Sequence, residues 1–127
     1  MADSTAGTKH SGLRYRLRRM GAGADELEAE DLLIEAAGLG ATPIKVCCVG
    51  ERVTVAGTLR TVTLRPLGGV PALEAALYDG SASVQVVWLG RRKIAGIVTG
   101  ASVVVHGRLT SQSGVPTIFN PSYELVA

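Results

Sequence analysis

The sequence predicts an all-β domain, a small five-stranded barrel with a short N-terminal helical appendage. Three observations predict it. Sixteen glycines in 127 residues separate short β-rich runs instead of forming one tract, as is typical of all-β chains. Asp79-Gly80 lies between two alternating apolar runs, which is a strong hairpin signal. The apolar alternation of residues 52–64 changes phase at Arg60-Thr61, which indicates a β-bulge in a long bent strand.

The central hairpin spans residues 73–89. A two-residue loop and a four-residue loop are both compatible with the pattern, because each places the same apolar side chains on one face. These six side chains are Leu73, Ala75, Leu77, Val84, Val86 and Trp88. The opposite face carries Glu74, Ala76, Tyr78, Ser83, Gln85 and Val87. A one-residue slip would mix the two faces, so the pattern excludes it.

Before the hairpin, the chain predicts the first strand and a loop. Residues 44–49 are β-rich and lead towards the long strand of 52–64, in which Val53, Val55, Gly57 and Leu59 share one face. Residues 65–71 contain two prolines and two glycines, which predicts a loop between strands one and two.

After the hairpin, residues 90–100 lose the alternation and predict one short helical turn with Ile94 and Ile97 facing inward. A fourth strand at 101–110 and a fifth at 115–125 follow, joined by a turn. Asn120-Pro121 predicts a break in the fifth strand, because proline cannot donate to a sheet ladder.

The first 43 residues form the predicted appendage, and residues 44–127 form the barrel domain. Residues 1–12 are predicted to be disordered, 13–20 alternate leucine or tyrosine with arginine, and 25–37 predict a helix capped by Asp25 and stopped by Gly38. Net charge alternates as +4, −6 and +4 over residues 1–20, 21–44 and 45–127. The basic arm at 13–20 has two interpretations, a phosphate-contacting arm or a solvated edge packed on the body.

Several classes of protein are excluded because the sequence lacks the motifs that they need. Cys47 and Cys48 are adjacent, so they make no disulfide framework or zinc site, and two reduced thiols predict a cytoplasmic protein. No secretory signal or membrane-spanning run is visible. No phosphate loop, zinc-protease motif, nucleophile elbow or catalytic carboxylate pair occurs. The sequence therefore predicts a binding module, with no enzymatic activity and no cofactor.

The order of these elements resembles the OB-fold. The motifs that carry the likeness are VTVAGTLRTV, LYDGSASVQVVWLG, IAGIVTGASVVVHGRL and FNPSY, within residues 44–126. They look like nucleic-acid-binding OB domains of the anticodon-binding type. They are also similar to the wedge domain of the bacterial branch-migration helicase and to small stand-alone OB proteins of GC-rich bacteria. The resemblance implies a binding face on strands two and three, flanked by the loops at 65–71 and 111–115.

Carried onto this chain, that face predicts eight nucleic-acid-binding residues: Arg60, Arg65, Tyr78, Gln85, Arg91, Arg92, Lys93 and Arg108. The cations suit a phosphate track and Tyr78 suits base stacking, although aromatic residues are few. Cross-strand packing is the other interpretation of Tyr78. For residues 91–93 the other interpretation is a solvated helix start. Trp88 is predicted to lie in the core, and Phe119 and Tyr123 in the core or at its rim. His106 is predicted to be a surface or cross-strand histidine, and Asp79 is explained by its turn.

Two functions remain open. The first is low-specificity binding of single-stranded DNA or RNA through the OB face. The second is a protein-interaction or homo-oligomerisation module without nucleic acid, favoured by four apolar positions on the outside of the barrel: Ala56, Ala76, Val87 and Val104.

Overall fold

The computed structural model describes residues 23–126. The predicted disorder of residues 1–12 and the basic arm at 13–20 lie outside the described residues. Within residues 23–126, one α-helix precedes a short 3-10 helix and six strands. In chain order they are α1 (Ala24–Gly38), the 3-10 helix (Ile44–Val46), β1 (Arg52–Leu67), β2 (Val70–Tyr78), β3 (Ser83–Leu89), β4 (Ser102–Gln112), β5 (Val115–Phe119) and β6 (Ser122–Leu125).

The strands make one closed barrel, which is five-stranded as the sequence predicts, because β5 and β6 are two parts of the fifth barrel strand. The sheet order is β1-β2-β3-β5-β4-β6, and pairing of β1 with β4 closes it. The first half of β1 pairs with β4 and the second half with β2, and the register shifts between Leu59 and Thr61. The predicted bulge is therefore confirmed, and it bends one strand into two parts of the sheet. The fifth barrel strand breaks at Asn120-Pro121 into β5 and β6, also as predicted.

The central hairpin adopts the four-residue loop. Tyr78 pairs with Ser83 and Leu77 with Val84, which leaves residues 79–82 in the turn. The Asp79 carboxylate accepts hydrogen bonds from the backbone amides of Ser81 and Ala82 at 2.8 and 3.1 Å. These bonds close the four-residue turn from within, so the side chain of Asp79 selects between the two registers.

The segment at 65–71 is a tight hairpin, and its prediction as a loop is wrong. β1 continues to Leu67, β2 starts at Val70, and only Gly68 and Gly69 turn, with φ of 61° and 86°. Such a turn needs two residues at positive φ, which glycine adopts without strain. Pro66 then faces Pro71 across the ladder, next to the closing pair, where neither has to donate a bond between the two strands.

Two further predictions need correction. Residues 44–46 form a 3-10 helix and not a strand, because the Ile44 amide donates to the Asp79 carboxylate at 2.8 Å and the chain turns there. Residues 90–101 contain turns and no helix. Gly90, Gly96 and Gly100 all have positive φ, which a right-handed helix does not allow.

The core fills the barrel with residues from every strand up to β5. Its buried members are Ile44, Val55, Leu59, Leu73, Ala75, Leu77, Val84, Val86, Trp88, Ile94, Ile97, Val103, Val105, Leu109 and Ile118. Ile94 and Ile97 are buried as predicted although their helix is missing. Trp88 is in the core, where its indole nitrogen donates to the Pro121 carbonyl at 3.1 Å. A buried indole needs such an acceptor.

Helix α1 lies against the outside of the barrel. Gly23, and not Asp25, is its N-cap, and the Glu26 carboxylate accepts the Gly23 amide at 3.2 Å. The helix includes Gly38, which was predicted to stop it. The glycine with a positive φ, of 80°, is Gly40, two residues later. Its last turn packs in a second apolar cluster formed by Ala36, Ala56 and Val104. The helix therefore covers two of the four outer positions that the interaction-module hypothesis needs.

Candidate nucleic-acid interface

The predicted binding face is the outer surface of β2 and β3. Leu77, Ala75 and Val84 point into the core, so Tyr78 and Gln85, which alternate with core residues along their strands, point outward. Both are half-buried. Gln85 pairs with Ala76 on β2 and with Thr117 on β5. The neighbours of Gln85 across the two ladders are therefore a small and a polar residue.

Tyr78 and Arg60 are in direct contact at one edge of this face. The guanidinium carbon of Arg60 lies 4.3 Å from the centroid of the Tyr78 ring, a cation–π contact. Arg60 occupies the bulge in β1, while Tyr78 ends β2 opposite Thr58. The bulge places the arginine over the ring, so two predicted site residues form one layered platform.

Helix α1 supplies an acidic partner to this platform. Arg60 Nη2 lies 3.1 Å from Glu28 Oε1, and both side chains are about half exposed. Glu28 is 32 residues away in sequence. The carboxylate reduces the positive potential at a cation that was predicted to face phosphates. The sequence does not predict this ion pair, because its partners are far apart along the chain.

Arg65 lies at the other end of β1, on the hairpin that joins β1 to β2. Its Nε lies 3.1 Å from Glu74 Oε1. Arg65 lines an open groove together with Arg92, from the β3–β4 connection. Two more of the predicted cations are therefore neighbours. Arg91 and Lys93 are exposed on the same connection but do not line the groove.

Arg108 belongs to a different part of the barrel. It pairs with Arg52 where β1 meets β4, and its Nη1 donates to the Gly50 carbonyl. This seam lies at the start of β1, whose second half pairs with β2. Arg52 was missed as a cation of this patch, although its exposed position next to the inward Val53 could have identified it. Two like charges placed directly opposite make the seam locally cationic.

His106 lies on the same seam and contacts two neighbouring strands. Its Nδ1 is 3.0 Å from Thr54 Oγ1 and its Nε2 is 3.5 Å from Glu124 Oε2. It is a partly exposed cross-strand histidine, as predicted. Phe119 and Tyr123, expected in the core or at its rim, are half-buried.

The cysteines are free thiols, one half-buried and one exposed. Burial raises the pKa of the Cys47 thiol above its ordinary value, with smaller contributions from the negative charges of Asp79 and Glu51. Among residues 23–126, no group of three or more histidine, cysteine or acidic side chains is placed to hold a metal ion. Within that range no helix has the length and apolar character needed to cross a membrane.

A closed five-stranded barrel with a bent first strand, and a fifth strand beside both β3 and β4, defines an OB-fold. The chain belongs to the family of OB-fold nucleic acid binding domains, whose model matches residues 53–126. Comparison with curated proteins gives no match. A similar solved structure is that of RecG bound to a three-way DNA junction, with a TM-score of 0.54 and 23% identity. The alignment covers 93% of this chain and 17% of that one, so the likeness shows the fold.

Proposed function

We propose that this protein binds single-stranded DNA or RNA with little sequence preference, without catalysing a reaction. The family supports nucleic acid as the ligand. One observation supports a single-stranded ligand: the guanidinium carbon of Arg60 lies 4.3 Å from the centroid of the Tyr78 ring. Aromatic rings and guanidinium planes stack on the faces of unpaired bases, which a duplex keeps covered.

Phosphates would be held by the cations around the face. Arg65 and the three basic residues 91–93 are exposed and lie at the barrel end beyond the platform. Arg108 and Arg52 form a separate cationic patch at the β1–β4 seam, so their contribution requires a strand that continues along β1 from the β2–β3 face. Charge contacts of this kind carry no sequence information. A cytoplasmic location is part of the proposal, because two free thiols suit a reducing compartment.

The test is fluorescence anisotropy with labelled single-stranded DNA, single-stranded RNA and duplex DNA of equal length. We expect the single strands to bind more tightly than the duplex. Replacing Tyr78 by Ala should cost roughly 1–3 kcal/mol of binding free energy, the contribution of one stacked base. Ser83→Ala, at its cross-strand partner, is the matched control. Tighter binding to the duplex, or an unchanged affinity in Tyr78→Ala, would contradict the proposal.

Little surface is exposed at the four apolar positions on which the interaction-module hypothesis depends. Ala56, Val87 and Val104 are 1, 1 and 6% exposed, and α1 packs on the first and third of them. Ala76 is half-buried. Their apolar character is explained by packing within the chain, so these positions give no support to a partner-binding face.

A further inference from the structure

The groove beside Arg65 has the form of a ligand site. It has a volume of about 330 Å³ and lies where the β1–β2 hairpin meets the β3–β4 connection. Its apolar wall is formed by Leu64, Pro66, Val70 and Pro71, and Arg65 and Arg92 supply its two charges. Pockets of about 300–1,000 Å³ with apolar walls and a few convergent polar groups are typical of small-ligand sites.

The two guanidiniums differ in how they are held. Glu74 Oε1 lies 3.1 Å from Nε of Arg65, and this carboxylate neutralises the charge of that guanidinium. No ion pair of the described residues involves Arg92. One neutralised and one free guanidinium leave the groove cationic, and planar guanidiniums match phosphate oxygens in pairs.

A ligand for this groove therefore needs an anionic group and a flat apolar face. Val70 is 44% and Leu64 48% exposed, so the wall presents uncovered apolar surface. Inorganic phosphate would leave that wall unused. A nucleotide has both features, and its size suits the volume.

We propose that the groove holds one unpaired nucleotide of a bound strand, with its phosphate at Arg65 and Arg92 and its base against Pro66, Val70 and Pro71. This inference rests on the proposed function and adds a site away from Tyr78. The β2–β3 surface is poor in aromatic residues and offers a base one contact, at Tyr78. The groove would add a second contact with a base face.

The experiment compares matched pairs of variants by anisotropy with a labelled single strand. Arg92→Ala removes a charge inside the groove and Arg91→Ala removes one just outside it. Val70→Ala shortens the apolar wall, and Val98→Ala alters a valine that is 58% exposed on the β3–β4 connection. Melting curves followed by circular dichroism check that each variant is folded.

We expect Arg92→Ala to weaken binding about tenfold or more, the effect of losing a charged hydrogen bond, and Arg91→Ala to weaken it much less. Val70→Ala should weaken binding to the normal strand and leave binding to an abasic strand unchanged, while Val98→Ala changes neither.

Equal losses of affinity in Arg91→Ala and Arg92→Ala, with no effect of Val70→Ala, would show that the groove does not hold a nucleotide. The proposed function would remain intact. Absence of strand binding by the unaltered protein at low salt would overturn both. If Arg92→Ala impaired binding of polyglutamate but not of the nucleic-acid strand, the groove would be a site for acidic peptide and the inference would be wrong.

Discussion

Asp79 shows at the residue scale how one buried carboxylate organises two segments. It is fully buried and accepts bonds from the Ile44 amide, the Ser81 amide and hydroxyl, and the Ala82 amide, at 2.7–3.1 Å. Burial of a charge is costly unless it is well hydrogen-bonded. These four bonds meet that condition, and they join the linker before β1 to the tip of the central hairpin.

We expect Asp79→Ala to lower the free energy of unfolding by about 3 kcal/mol, because it leaves buried amides without an acceptor. Ser83→Ala, an exposed change on the same hairpin, should lower it by less than about 0.5 kcal/mol. Urea denaturation of both variants measures the difference. Equal stabilities would show that the carboxylate does not organise the turn.

The Cys47 thiol should respond to pH differently in the folded and in the unfolded chain. Because folding raises the pKa of Cys47, the unfolded chain releases this proton first. The free energy of unfolding should therefore fall as the pH rises past the ordinary thiol value of about 8.5. In a Cys48→Ser variant, alkylation of Cys47 should be slower in the folded than in the denatured protein at pH 8. A faster rate in the folded protein would contradict the raised pKa.

At the scale of elements, the contact of α1 with the barrel bears most directly on binding. Glu28 reaches Arg60 beside the Tyr78 ring. A Cβ on Gly80 would clash with the backbone carbonyl of Ala29, so the helix backbone and the hairpin tip approach closely. An acidic helix thus lies next to the proposed stacking platform, where Glu28 would compete with a bound phosphate for the Arg60 guanidinium.

Replacing Glu28 by Gln should strengthen binding of a single strand, because Arg60 loses its carboxylate partner. Asp31→Asn is the control, since it removes an equal charge from an exposed position of the same helix. The gain should be larger for Glu28→Gln and should shrink as salt is added. Equal gains in the two variants would indicate a general effect of helix charge. Anisotropy titrations at two salt concentrations separate these cases.

At the scale of the whole molecule, the sequence predicts the barrel better than its surface. Alternation and the phase change at Arg60 predict the strands, because burial forces a period of two on each of them. The two hairpin registers bury the same residues, so only the side-chain bonds of Asp79 decide between them. The Gly68-Gly69 turn was missed because two prolines beside it suggested a loop. The Arg60–Glu28 pair joins distant segments, which local patterns do not report.

The helix and the segment before it should be dispensable for folding of the barrel. Every buried member of the main core lies at Ile44 or beyond. Deleting residues 1–40 uncovers Ala56 and Val104, and exposure of one such valine costs about 1.5–3 kcal/mol. We expect the truncated protein to unfold cooperatively at a lower temperature, measured by calorimetry. Loss of folded protein would show that α1 completes the core.

The most direct measurement is the salt dependence of affinity for a single strand. If phosphates are the ligand, the logarithm of the binding constant should fall linearly with the logarithm of salt concentration, with a slope near −0.7 for each phosphate neutralised. Replacing Arg91, Arg92 and Lys93 together by Ala should weaken all sequences alike and flatten that slope. A protein that binds no strand at low salt, or whose slope is unchanged in the triple variant, would contradict the account.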